Sequence, residues 1–183
     1  MTDFFSSPQV AAFLEQLPNG IHSYAEARVV SDVYAHVSRF FPAFVEDASV
    51  PADLRSLAAG KTKMKWTTEV KGNLIMLSLR DRFFATDKEF LQWYKQEIIA
   101  PTFNRPLYRA IMFVFSPSLA ALGAARRWDV THQGTSLTSQ PVQKTDDKYT
   151  VVFTIQYPKG LFSLDLIQQR LGTAIMVVLE AAG

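Results

Sequence analysis

From Tyr149 to Tyr157 the chain reads Tyr-Thr-Val-Val-Phe-Thr-Ile-Gln-Tyr, with a large apolar residue at every second position. Side chains alternate across a strand with a period of two. Tyr149, Val151, Phe153, Ile155 and Tyr157 therefore share one face, and Thr150, Val152, Thr154 and Gln156 the other. Pro158-Lys159-Gly160 stops the strand. Just beyond it the period changes. Leu164, Ile167, Leu171, Ile175 and Val178 fall at helical spacing behind a Ser163 cap. A chain that must bury one face of such a strand and one stripe of such a helix has to layer the two.

The same patterns recur upstream. Residues 3–17 suit a short helix closed by Pro18-Asn19-Gly20. Ser23 and Glu26 have capping-box spacing, and Val29, Val30, Val33, Tyr34, Val37, Phe40 and Phe41 behind them predict a helix that Pro42 ends. A short helix over residues 51–59 stops at Gly60. Met64, Trp66, Thr68 and Val70 alternate with Lys63, Lys65, Thr67, Glu69 and Lys71. With Gly72-Asn73 as the turn and residues 74–79 returning, the pattern predicts a β-hairpin. Thr86 and Glu89 form a second capping box before Phe90, Leu91, Tyr94 and Ile98, and Pro101 breaks that helix. Residues 105–115 suit another helix, and Ser116-Pro117 opens one that reaches about Ala125. Trp128, Val130 and His132 then share one face of a strand, with Asp129 and Thr131 on the other. Residues 136–142 suit a further strand, and Lys144-Thr145-Asp146-Asp147-Lys148 reads as a turn.

The expected class is α+β: an antiparallel sheet of four to five strands with helices packed on it, in the order helices, hairpin, helices, strands, helix. The length of 183 residues suits one globular domain over residues 1–183. A chain of that size buries roughly 70% of its unfolded surface. Aromatic residues make up 13%, led by 14 Phe, enough to fill a core or to line an apolar pocket.

Composition narrows the chemistry. Nineteen Lys and Arg against 17 Asp and Glu leave a formal charge of +2, without the basic excess that marks nucleic-acid binders. The absence of cysteine excludes disulfides, thiolate catalysis and Cys-based metal sites, and it fits a reducing compartment. The first residues show no signal-peptide pattern, and no apolar run approaches the ~20 residues of a membrane span. The expectation is a cytoplasmic protein with no nucleic-acid partner.

Three groups of residues are candidates for function. The first is Arg126-Arg127-Trp128-Asp129-Val130-Thr131-His132-Gln133-Gly134. Asp129 and His132 would make an acid–base pair only if a bulge or Gly134 re-aims the strand; otherwise Trp128 anchors the strand and His132 is an edge residue. No nucleophile elbow accompanies them. The second is Arg80 and Arg82, which could clamp a carboxylate or phosphate bidentately, or pair with nearby acids. The third is the aromatic and methionine set Phe103, Tyr108, Met112 and Phe115, which reads either as a core helix or as the wall of an apolar pocket. Lys61, Lys63, Lys65 and Lys71 read as edge-strand protection. Three histidines without ligand spacing point to no metal site, and no cofactor is announced.

The segments Ser116-Pro117 to Leu137, Tyr149 to Phe162 and the closing Leu179-Glu180-Ala181-Ala182-Gly183 resemble the C-terminal half of an uncharacterised myxobacterial protein family. Its layout is similar to vinyl-reductase-type small-ligand domains, to haem–nitric-oxide sensors and to Bet3-like trafficking subunits. The resemblance implies a non-enzymatic binder, in some cases with an apolar channel, and often dimeric. The cysteine that carries lipid or metal chemistry in several such domains is absent here. The leading expectation is thus a non-catalytic domain that binds or senses a small apolar or amphipathic ligand, in signalling and as a homodimer. The alternatives are a small enzyme with His132 as general acid or base, and a protein-interaction scaffold.

Overall fold

Helices and small antiparallel sheets make up the described residues (3–103, 117–145, 148–158 and 165–181) of this computed structural model, which belongs to the α+β class. The chain groups into two compact units. The first holds Met1–Asp87, His132–Gly134 and Pro158–Phe162; the second holds Lys88–Thr131, Thr135–Tyr157 and Ser163–Gly183.

In the first unit the order is α1 (Pro8–Leu14), β1 (Arg28–Val30), α2 (Val37–Phe40), α3 (Pro42–Glu46), α4 (Ala52–Ala58), β2 (Trp66–Thr68) and α5 (Glu69–Phe83). The expected hairpin over residues 63–79 is corrected. Only Trp66–Thr68 is a strand, and the chain turns straight into α5. Thr68 is the cap: its side chain accepts a hydrogen bond from the Lys71 N–H at 3.3 Å. From Glu69 to Leu79 every residue of α5 except Lys71 is buried. A helix enclosed on all sides carries no polar stripe, and its apolar residues can be read at either period. Gly72 marks no turn. Tyr34 packs over it so closely that an added Cβ would overlap the phenol oxygen.

The long helix expected after Ser23 is likewise corrected. The Ser23 hydroxyl accepts from the Asn19 N–H at 2.9 Å, so it closes the preceding turn instead of opening a helix. Val29 is buried in β1 while Arg28 is exposed. Short helical turns follow, and Pro42 opens α3 where it was expected to end a helix. β1 is the centre of a three-stranded antiparallel sheet in the order β2-β1-β3, where β3 is His132–Gln133. Its register sets Val29 opposite Thr67 on one side and His132 on the other.

The second unit contains most of α6 (Asp87–Trp93), a π-helical turn (Tyr94–Ile99), α7 (Ala100–Phe103), α8 (Pro117–Thr131), β4 (Ser136–Ser139), β5 (Gln143–Thr145), β6 (Lys148–Thr150), β7 (Phe153–Gln156) and α9 (Asp165–Ala181). Pro101 does not break the helix: helical structure continues to Phe103 through the π turn. A proline lacks the N–H that an α-turn needs and crowds the preceding carbonyl, and a widened turn lies just ahead of it. α8 runs past Ala125 to Thr131, so Trp128, Asp129 and Val130 are helical and not in a strand. The contrast between buried Trp128 and exposed Val130 shows the helical period directly. β4 pairs with β7 and β5 with β6, both antiparallel. The single strand expected over residues 149–157 is two, and its alternation survives in β7, where Phe153 and Ile155 are half-buried and Thr154 and Gln156 exposed.

Candidate functional site

His132 sits in β3 of the first unit, held by the ladder to β1. Gly134 ends the strand with φ +69°, and an added Cβ there would overlap the Glu26 carbonyl oxygen. Only glycine fits both demands. Facing His132 is a residue far away in sequence. Glu69 is the first residue of α5, and its N–H donates to the Ala27 carbonyl at 2.9 Å, which ties the helix start to the residue before β1. The His132 Nε2 lies 3.4 Å from Glu69 Oε1, with side chains 14% and 6% exposed. That separation is within ion-pair range and longer than an ordinary hydrogen bond. A carboxylate in the first turn of a helix is favoured by the helix dipole. Asp129, the partner suggested by proximity in sequence, lies exposed on α8. The carboxylate beside His132 is therefore Glu69.

Trp128, at the end of α8 in the second unit, is buried, and its indole N–H donates to the Thr135 hydroxyl at 3.1 Å. Phe103 ends α7. Tyr108, Met112 and Phe115 lie outside the described residues.

Arg80 and Arg82 stand in the last turn of α5, not at a strand end. Arg82 donates to the Asp47 carboxylate and, at 3.2 Å, to the Ser49 hydroxyl. Its guanidinium also lies 5.9 Å from the ring centroids of both Phe4 and Phe44. The Ser49 backbone N–H and then Arg82 hold the Asp47 carboxyl below its ordinary value, against the effect of burial. Arg80 pairs with Asp87 and, at 3.6 Å, with Asp81, whose other oxygen accepts from the Gln9 N–H at the start of α1. Both arginines are thus joined to carboxylates of their own chain and tie α5 to its neighbours. Lys71 pairs with Asp53 at 2.6 Å. Burial is the largest influence on Asp53 and pushes its carboxyl up, but Lys71 and the Leu54 N–H together outweigh it and leave it below the ordinary value.

The second unit holds a residue that the sequence reading passes over. Arg170 is 6% exposed, on the face of α9 that also buries Leu166, Ile167 and Val177. Its guanidinium carbon lies 5.5 Å from the centroid of Tyr94, and the Tyr94 ring stacks against Phe90 at 6.4 Å, beside Trp93. Tyr94 opens the π turn, and α9 packs on that turn and on α7 and α8. The signal for Arg170 is its spacing: it stands four positions after Leu166 and three after Ile167, a cation in an apolar stripe. Among the described residues no group of three or more His, Asp or Glu is placed to hold a metal ion, and no helix is long and apolar enough to cross a membrane.

Compared with protein families, with curated proteins and with solved structures, the chain matches none.

Proposed function

We propose that this chain is a non-catalytic binding domain for a small amphipathic anion, with Arg170 in the second unit receiving the charged end. One observation carries the reading: an arginine 6% exposed, on the apolar face of α9, lies against the ring of Tyr94. A guanidinium laid against an aromatic ring is held in a fixed orientation, and arginine grips carboxylates and phosphates bidentately. The π turn that Tyr94 opens is a rare geometry that recurs at functional sites. Half-buried Trp93 furnishes apolar surface beside it, and the fully buried Phe90 backs both Trp93 and Tyr94. The tail would meet Trp128. The likeness of the C-terminal segments to small-ligand domains supports the same reading, including a homodimeric sensor acting in signalling. The absence of cysteine suits the cytoplasm.

The experiment is a calorimetric titration of the full chain with dodecanoate and, separately, with dodecanol, its uncharged counterpart. Dodecanoate is expected to bind about tenfold or more tighter, the scale of a charge-assisted bidentate contact. R170M is expected to lose that preference while still taking up dodecanol. Equal affinities in the unaltered protein, or an intact preference in R170M, would overturn the reading.

A further inference from the structure

We propose that the Glu69–His132 contact is a pH-operated fastening of β3 onto the sheet of the first unit. β3 has two residues and lies at an edge of the sheet, joined to β1 through two register pairs, Arg28 with Gln133 and Val29 with His132. So short a ladder leaves much of the strand's hold to side chains. The carboxylate it meets is fixed from behind. Thr68 caps α5, and the Glu69 N–H is bonded to Ala27, so Glu69 is anchored where β2 turns into the helix. At 14% and 6% exposure the two side chains are largely shielded from solvent screening.

Protonation of His132 changes what this contact is. The protonated ring forms an ion pair with the carboxylate. The neutral ring offers one N–H at most, and the attraction between opposite charges is gone. Other charged groups stand on the described elements around β3. On β1, Arg28 is exposed and its Nε donates to the Ala25 carbonyl at 2.7 Å. β2 carries no charge in Trp66–Thr68. On α5, Lys71 is paired with Asp53. Glu26, exposed just ahead of β1, lies along Gly134 with its backbone, and Asp129 is exposed three residues before His132. The sign follows. An ion pair favours the protonated imidazole in the folded sheet, so its contribution is full below the ordinary imidazole value of about 6.5 and is lost as pH rises through the folded-state value.

The test is amide hydrogen exchange in the full chain at pH 6 and pH 8, corrected for intrinsic rates. Interior amides of α5 from Leu74 to Leu79 serve as the internal reference for global opening. Protection in the β1–β3 pairs, relative to α5, is expected to be about three- to tenfold higher at pH 6, the range of a charge-assisted contact. E69Q is expected to keep α5 protection and lose the pH dependence. H132Q, which retains a polar side chain of similar reach, is expected to give one protection value at both pH values. A pH-independent ratio in the unaltered protein would overturn the proposal, and so would a dependence that persists in E69Q or H132Q.

Discussion

At Gly72 a single added methyl group would overlap the hydroxyl oxygen of Tyr34, a residue itself 2% exposed. Neither partner has room to move, because α5 is enclosed on every side there. Gly123, within α8, meets nothing within 4 Å. The two glycines should therefore respond to alanine with opposite signs. G72A is expected to destabilise by about 1–3 kcal/mol through overpacking. G123A is expected to stabilise by about 0.5–1 kcal/mol through helix propensity. Urea denaturation of both variants checks this, and a neutral G72A would refute the Tyr34 packing. The same contrast shows what is legible at single positions. His132 stands out in the sequence as a chemical residue, whereas its carboxylate partner does not, because Glu69 reaches it only through the fold. Arg170 was legible in principle, as the one cation in α9, on the face that buries Leu166, Ile167 and Val177.

Among the elements, α5 is the one that the arginines and aspartates of the first unit tie in place. Arg82 reaches Asp47 and Ser49 in the loop after α3, Arg80 reaches Asp87, and Asp81 holds the start of α1. The Asp47 carboxyl, lowered first by the Ser49 N–H and then by Arg82, gives these ties a pH signature. A carboxyl lowered on folding adds stability that is fully present above its unfolded value, near 3.8, and lost as pH falls through the folded value. D47N is expected to be clearly less stable than the unaltered protein at pH 7, with the difference shrinking as pH falls below about 4. Denaturation curves at pH 7, 4 and 3 measure it, and a difference that stays constant across them would rule out the ionised tie. The elements also show where sequence patterns suffice. β7 is half-buried, so its alternation is visible and correctly read. From Glu69 to Leu79 α5 is buried at every residue but Lys71, and its Gly-Asn pair imitates a hairpin turn while serving a close approach of helix and ring. Trp128, Val130 and His132 alternate over too few residues to separate a helix end from a strand, and the structure divides them between α8 and β3.

For the molecule as a whole, composition points to a folded chain without thiol chemistry and the periodic patterns to the α+β class, which is what the described residues show. The number and order of strands were less accessible. Short strands such as β1, β3 and β6 carry two or three residues each, below the length at which period two becomes a pattern. The central claim is that the protein holds a small amphipathic anion at Arg170, and the most direct measurement is a native mass spectrum of freshly purified protein, followed by a denaturing one, beside R170M handled identically. The unaltered chain is expected to carry an additional small mass that leaves on denaturation and ionises as an anion, while R170M flies bare with a compact charge-state distribution. A bare unaltered chain, or the same added mass in both proteins, would contradict the claim.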